Sequence, residues 1–292
     1  MNSPSLIFDR ALIRRRLLRA NAAGAEDFLL RAAADDLCER LSLIKRDFAD
    51  VVEIGSASPQ LSARLAREGR RIVRLAPLAQ LVGGAALSVV GDEEALPFAE
   101  ARFDLAVSAL SLHLVNDLPG ALIQIRRILK PDGLFLGCLL GGSTLKELRG
   151  ALGAAETEIC GGVSPRVAPF ADVRDMGGLL QRAGLALPVA DSEPLTVRYR
   201  DMFALMADLR AMGATNALHA RLRKPALRRL FLRAAEIYAE RFSDPDGRVR
   251  ATLELIFVSG WAPHESQQKP LRPGSATMRL EDALKGAKPA PE

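Results

Sequence analysis

The chain has 292 residues, 49% of them hydrophobic, and a formal net charge of +5 from 40 Lys and Arg against 35 Asp and Glu. That is ample apolar material for a folded core, and no stretch reaches the roughly 18 uninterrupted apolar residues of a membrane-spanning helix, so neither a chain disordered throughout nor a transmembrane protein is expected. Three cysteines, Cys38, Cys138 and Cys160, show no paired ligand spacing and make no even disulfide framework, which points to a reducing, cytoplasmic compartment and away from a cysteine-built zinc site.

The excess of cations invites a nucleic-acid reading. Yet 33 of the 40 are arginine in an alanine-rich chain, a bias that a GC-rich genome produces by itself, and Tyr and Trp together number three, too few for base-stacking platforms. No nucleic-acid partner is expected.

In chain order, Ser5 to Ala20 interleaves Arg10, Arg14, Arg15, Arg16 and Arg19 with Leu and Ile, the pattern of an amphipathic basic helix. Asp9 interrupts it and no cleavage-like small-residue stretch follows, so it is read as part of the fold and not as a presequence. Its arginines fit a solvated face or an acidic docking site. A second helix is predicted from Glu26 to Leu43. β-type runs then alternate with helices: 51–54, 71–75, 86–90, 103–110 and 134–140, with a helix at 119–129 closed by Lys130-Pro131-Asp132-Gly133. Helices follow to Ile159 and to Arg182. Two further β-runs, 185–199 and 251–261, flank a helical block from Asp201 to Phe242.

Short buried strands alternating with helices predict an α/β fold with a mostly parallel sheet, its ligand beyond the carboxyl ends of the strands. Residues 1–45 form an N-terminal helical segment, 46–285 the main domain with a helical cap at 201–248 over the ligand edge, and 286–292 an expected disordered tail.

In a nucleotide-binding domain of this kind, glycines after the first strand let the backbone approach the ligand, and an acid after the second strand takes the ribose hydroxyls. Here the first loop reads Glu53-Ile54-Gly55-Ser56-Ala57-Ser58-Pro59. One glycine is present, Ala57 stands where a second would be, and Pro59 removes an N–H and fixes φ. The second strand ends Arg74-Leu75-Ala76, with no carboxylate for a ribose. After the third strand, Asp92 is placed to accept from an adenine amine and the Glu93 N–H to donate to a ring nitrogen, the alternative being an acidic solvated loop. His113 follows the fourth strand, where with Asn116 and Asp117 it could orient a substrate or act as a base; a histidine capping a strand-to-helix junction is the other reading. No hydrolase elbow, phosphate-binding lysine loop or metal-ligand set is present.

Leu96-Pro97-Phe98, then 103–108 and Leu129-Lys130-Pro131-Asp132-Gly133, are similar to the third, fourth and fifth strand signatures of class I S-adenosylmethionine-dependent methyltransferases. A fuller likeness runs through Phe8-Asp9-Arg10, 111–119, 141–145, Ser164-Pro165, Pro169-Phe170, 212–216, His264-Glu265-Ser266-Gln267 and Gly274-Ser275-Ala276. Together these resemble the respiratory complex I assembly factors of methyltransferase fold and their alphaproteobacterial relatives, whose eukaryotic members hydroxylate a protein arginine. The biotin-pathway carboxyl methyltransferases share the layout more distantly.

The resemblance implies a Rossmann-like, seven-stranded, mostly parallel sheet with N-terminal helices and a helical insertion between the last two strands. It implies S-adenosyl-L-methionine as cofactor, held by Glu53, Gly55, Ala57, Asp92, Glu93, Ser108 and Leu110, with His113 as the candidate catalytic group and no metal. The family's ribose acid falls on Leu75. The implied partner is a protein substrate, an iron–sulfur subunit of complex I, with at most peripheral membrane association. The altered loop and missing acid support a second expectation, a degenerate scaffold that keeps the fold to bind a partner.

Overall fold

The computed structural model describes residues 6–66, 69–82 and 87–268. The tail from Gly286, the Gly274-Ser275-Ala276 segment and Ala86 lie outside the described residues. Eight helices, α1 (Arg10–Ala22), α2 (Phe28–Ser42), α3 (Gln60–Leu65), α4 (Leu118–Ile128), α5 (Lys146–Cys160), α6 (Val173–Arg182), α7 (Met202–Ala211) and α8 (Arg228–Phe242), surround one sheet among the described residues. Its strands are β1 (Asp50–Ile54), β2 (Arg71–Ala76), β3 (Leu87–Val90), β4 (Phe103–Ala109), β5 (Leu129–Leu140), β6 (Ala186–Tyr199) and β7 (Val249–Trp261).

The sheet runs β3-β2-β1-β4-β5-β7-β6. The first five strands are parallel, and β7 is antiparallel to both β5 and β6. This is the mostly parallel, seven-stranded arrangement that the sequence implied. Because successive side chains alternate across a strand, Leu134, Leu136 and Cys138 of β5 join one core layer with α2, α5, α7 and α8. Phe135 and Leu139 of the same strand join the other, with α4 and α6. The central strands are apolar on both faces because both are covered.

Four helices begin where an aspartate accepts a backbone N–H: Asp9 from Leu12, Asp117 from Gly120, Asp172 from Arg174 and Asp201 from Ala204. Asp9 sets the first difference from the sequence reading. The basic helix starts at Arg10, five residues later than its apolar spacing suggests, since the Asp9 carboxylate satisfies the free amide of Leu12 and ends the extended lead-in. A second difference lies at Lys130-Pro131-Asp132-Gly133. The strand there begins at Leu129, pairs with Phe103, bulges and resumes at Leu134 opposite Leu105. Lys130 draws the bulge onto the sheet by reaching Asp50 at 2.7 Å and Asp104 at 3.1 Å. The helical block after β6 is split into α7 and α8, because Gly213 adopts a φ of +73° that ends α7 and Pro225 has no N–H to continue a helix.

Replacing Ile125, fully buried on α4, by Ala is expected to destabilise the fold by about 2–5 kcal/mol in urea unfolding. Ile123→Ala on the exposed side of the same helix should stay within about 0.5 kcal/mol. Equal losses would show that α4 does not bury the side assigned to it.

Candidate functional site

The strand order reverses between β1 and β4, and a crevice opens there beyond the carboxyl ends of the strands. Gly55 closes β1 at a φ of +79° and donates its N–H to the Leu75 carbonyl at 2.9 Å. Leu110 leaves β4 at a φ of +52°, an unusual conformation for leucine, and turns the chain toward Ser111 and His113.

The side of the crevice next to β2 and β3 is filled by the protein itself. Glu53 and Arg74 stand directly opposite each other in the β1–β2 register, both 0% exposed, with Arg74 Nε 3.4 Å from Glu53 Oε2. The remaining guanidinium nitrogens donate to the carbonyls of Ser56, at 2.5 Å, and Leu81. Burial pushes the Glu53 carboxyl above its ordinary value while Arg74 pulls it back. Burial likewise draws the Arg74 guanidinium down, with Glu53 opposing. Glu53 is thus buried against Arg74 within the sheet.

At the third turn, Arg10 and Arg14 lie one helical turn apart on α1 and share a face. Arg10 reaches Asp92 at 2.7 Å and also pairs with Glu93, while Arg14 pairs with the second oxygen of Asp92. Burial would raise the pKa of Asp92, but the Glu94 N–H and the two guanidinium groups together hold it below the usual carboxylate range. The other Glu93 oxygen accepts from Ser111 Oγ at 2.7 Å. A Cβ built on Gly55 would lie 2.0 Å from Ser111 Oγ and 2.5 Å from Glu93 Oε1. The space that the sequence reading reserves for a ligand over Gly55 is thus occupied by Ser111 and Glu93.

The sequence-predicted site residues take different places in this geometry. The Asp92 and Glu93 carboxylates pair with arginines of α1. Ser108 does not line the crevice, because it is fully buried and donates to the Ile54 carbonyl at 3.0 Å. Asn116 and Asp117 do not join His113: Asn116 accepts from the amides of Ile7 and Phe8, and Asp117 caps α4. Leu75, where a ribose acid would stand, is fully buried with its side chain over Gly91.

Beside the filled crevice a cavity of about 380 Å³ remains, reached by Ala57, Leu110 and His113. Leu17 of α1, Leu30 of α2 and Leu209 of α7 line it, as does the segment from Met212 to Ala217. Such a volume suits a side chain or small ligand. The His113 ring sits edge-on to Phe170, 5.4 Å between centroids, and its Nδ1 has no partner. Enclosure pushes its pKa down to about 3, so the imidazole is uncharged at neutral pH. Across the cavity Arg166 is held by Glu156 at 2.7 Å, with its own Nε unpaired. Among the described residues no three His, Cys, Asp or Glu side chains converge to hold a metal ion.

The sequence reading missed Arg74, Ser111 and the role of α1 as a wall. An arginine inside an apolar strand was the available signal for the first, since a buried cation must be paired.

A methyltransferase-domain family model matches residues 52–137. Over nearly its whole length the chain is similar to curated proteins. It is 42% identical to arginine-hydroxylase NDUFAF5, mitochondrial, of Homo sapiens over 93% of this chain and 81% of that protein. Identity with the Danio rerio protein of the same name is 37%, over 96% and 90%. It is 33% identical to malonyl-[acyl-carrier protein] O-methyltransferase of Methylovorus sp., over 90% and 92%. Among solved structures, the YcgJ protein of Bacillus subtilis superposes with a TM-score of 0.55 at 13% identity, over 79% of this chain and 99% of that one. The [4+2]-cyclase SpnF gives 0.52 at 18%, over 89% and 98%. These two likenesses carry the fold alone.

Arg74→Met is expected to cost about 3–5 kcal/mol by leaving Glu53 buried and unpaired, and Glu53→Leu added to it should recover most of that loss. Additive losses in the double variant would show that the two do not act as a pair. The depressed pKa of His113 means that the folded state binds fewer protons than the unfolded one. Its contribution is complete above about pH 6.5, the ordinary imidazole value, and is lost as pH falls toward 3. His113→Gln should therefore flatten the acid limb of the stability profile over that window, and superimposable profiles would show a solvated ring.

Proposed function

This chain belongs to the methyltransferase-fold family that includes arginine-hydroxylase NDUFAF5, and from that premise we propose that it serves the assembly of respiratory complex I by binding a protein partner. The partner is an iron–sulfur subunit, and the cavity beside His113 receives one of its side chains. The observation that supports this reading is the division of the ligand edge. Arg74, Glu53, Glu93 and Ser111 fill the nucleoside half, while the neighbouring cavity stays open.

In this reading the chain works by position. Leu110 and Leu145 give the apolar contact, the unpaired Nδ1 of uncharged His113 takes one hydrogen bond, and the enclosing α1 and α7 exclude water. In this reading the partner is held without S-adenosylmethionine, and the support for it is that a purine beside Asp92 would compete with two guanidinium groups. A second reading, methylation or hydroxylation of a partner arginine with that cofactor, is favoured by the proximity of Ala57 to the open cavity.

A thermal titration of the full chain with S-adenosylhomocysteine separates them. A ligand at a hundred times its Kd stabilises by about 2.7 kcal/mol, a rise of several degrees. No rise at millimolar ligand is expected here, together with retention of the complex I iron–sulfur subunit when the two are co-expressed. A saturable rise would restore the cofactor-dependent reading, and failure to retain the subunit would remove the assembly role.

A further inference from the structure

A second concavity, of about 500 Å³, lies at the amino ends of β1 and β2, at the opposite end of these strands from the ligand edge. Lys45, Arg46, Arg64 and Arg70 line it, and Asp47 is the one acid of that lining among the described residues. The volume suits a small molecule.

Helix ends account for part of this charge. α2 stops at Ser42 and α3 at Leu65, both beside the groove, and the carbonyls left free at a helix C-terminus attract cations. Arg70 meets that need at α3, with Nη1 on the Leu65 carbonyl at 2.9 Å, while its Nε donates to the Phe48 carbonyl at 3.2 Å.

The other three cations are only partly engaged. Arg46 donates through Nη1 to the carbonyl and the carboxylate of Asp132. Arg64 donates through Nε to Asp35 and through Nη1 to Gln60. Asp35 is 65% exposed, so water weakens its hold on Arg64. Among the described residues, Arg46 Nε and Nη2, Arg64 Nη2 and the Lys45 ammonium make no hydrogen bond.

N–H donors from three cations thus border one groove that contains a single carboxylate. An anion with several acceptor oxygens on one centre uses such donors together, which favours phosphate over carboxylate. Leu41 and Ile44 add a short apolar wall for the organic remainder. We propose that this groove binds a small soluble organic phosphate, with its phosphate or diphosphate group held by Lys45, Arg46 and Arg64. The site is separate from the cavity beside His113 and does not depend on the assembly role.

Isothermal titration of the full chain with pyrophosphate, at an ionic strength held constant with chloride, tests it. Saturable binding at one site per chain is expected. Lys45→Gln with Arg64→Gln should weaken it by about tenfold or more, because a charged donor is replaced by a neutral one at each position. Lys45→Gln alone, at a side chain with no partner to lose, should keep the melting temperature and still weaken binding. Arg223→Gln with Lys224→Gln removes the same charge from the exposed α7–α8 connection, outside the groove, and should leave binding unchanged. No saturable heat at millimolar pyrophosphate, or equal weakening by the two double variants, overturns the proposal. So does unchanged binding by Lys45→Gln with Arg64→Gln, which would show that these cations serve only the ends of α2 and α3.

Discussion

A guanidinium taken out of water must be met by oxygen atoms, and in this fold that requirement decides what the ligand edge of the sheet can hold. Arg74 sits inside β2 with no exposure and is met by the Glu53 carboxylate and by the carbonyls of Ser56 and Leu81. Those contacts fix the loop after β1 from within. The buried pair is not a source of large net stability, because desolvation offsets most of its attraction. Its effect is on arrangement: with Glu53 turned to Arg74, the first loop has no free anion to offer a ligand.

The same logic operates one turn further along the edge. Arg10 and Arg14 bring α1 down onto Asp92 and Glu93, and Glu93 reaches Ser111 over the bare α-carbon of Gly55. Charges are thereby gathered on the β2–β3 side, and a mostly apolar cavity remains between Ala57 and Leu140. An imidazole on the wall of that cavity has no counter-ion and stays neutral. The two halves of the edge differ in kind, one filled by its own ion pairs and the other open and mostly apolar.

The net charge of +5 is likewise unevenly placed. Arg10 and Arg14 of α1 are spent on specific acids, as Arg40 is on Asp36, Asp191 and Glu193. From Leu209 to Ala235 seven Lys and Arg occur with no carboxylate in the segment. Leu222, Leu227 and Leu232 are exposed within the same segment.

The sequence alone determined the architecture: alternating apolar runs and capped helices fix a parallel sheet with two covered faces, since burial periodicity and N-cap chemistry are local properties of the chain. It also showed that the ribose acid is missing at Leu75 and that Pro59 stiffens the first loop. Which groups occupy the crevice was decided only by tertiary structure. Glu53 meets Arg74 because β1 and β2 pair in one register, and Arg10 meets Glu93 because α1 crosses the sheet edge, 83 residues away in sequence. Such pairings depend on distances set by packing, and a carboxylate written in the chain does not say whether a ligand or a buried guanidinium will claim it.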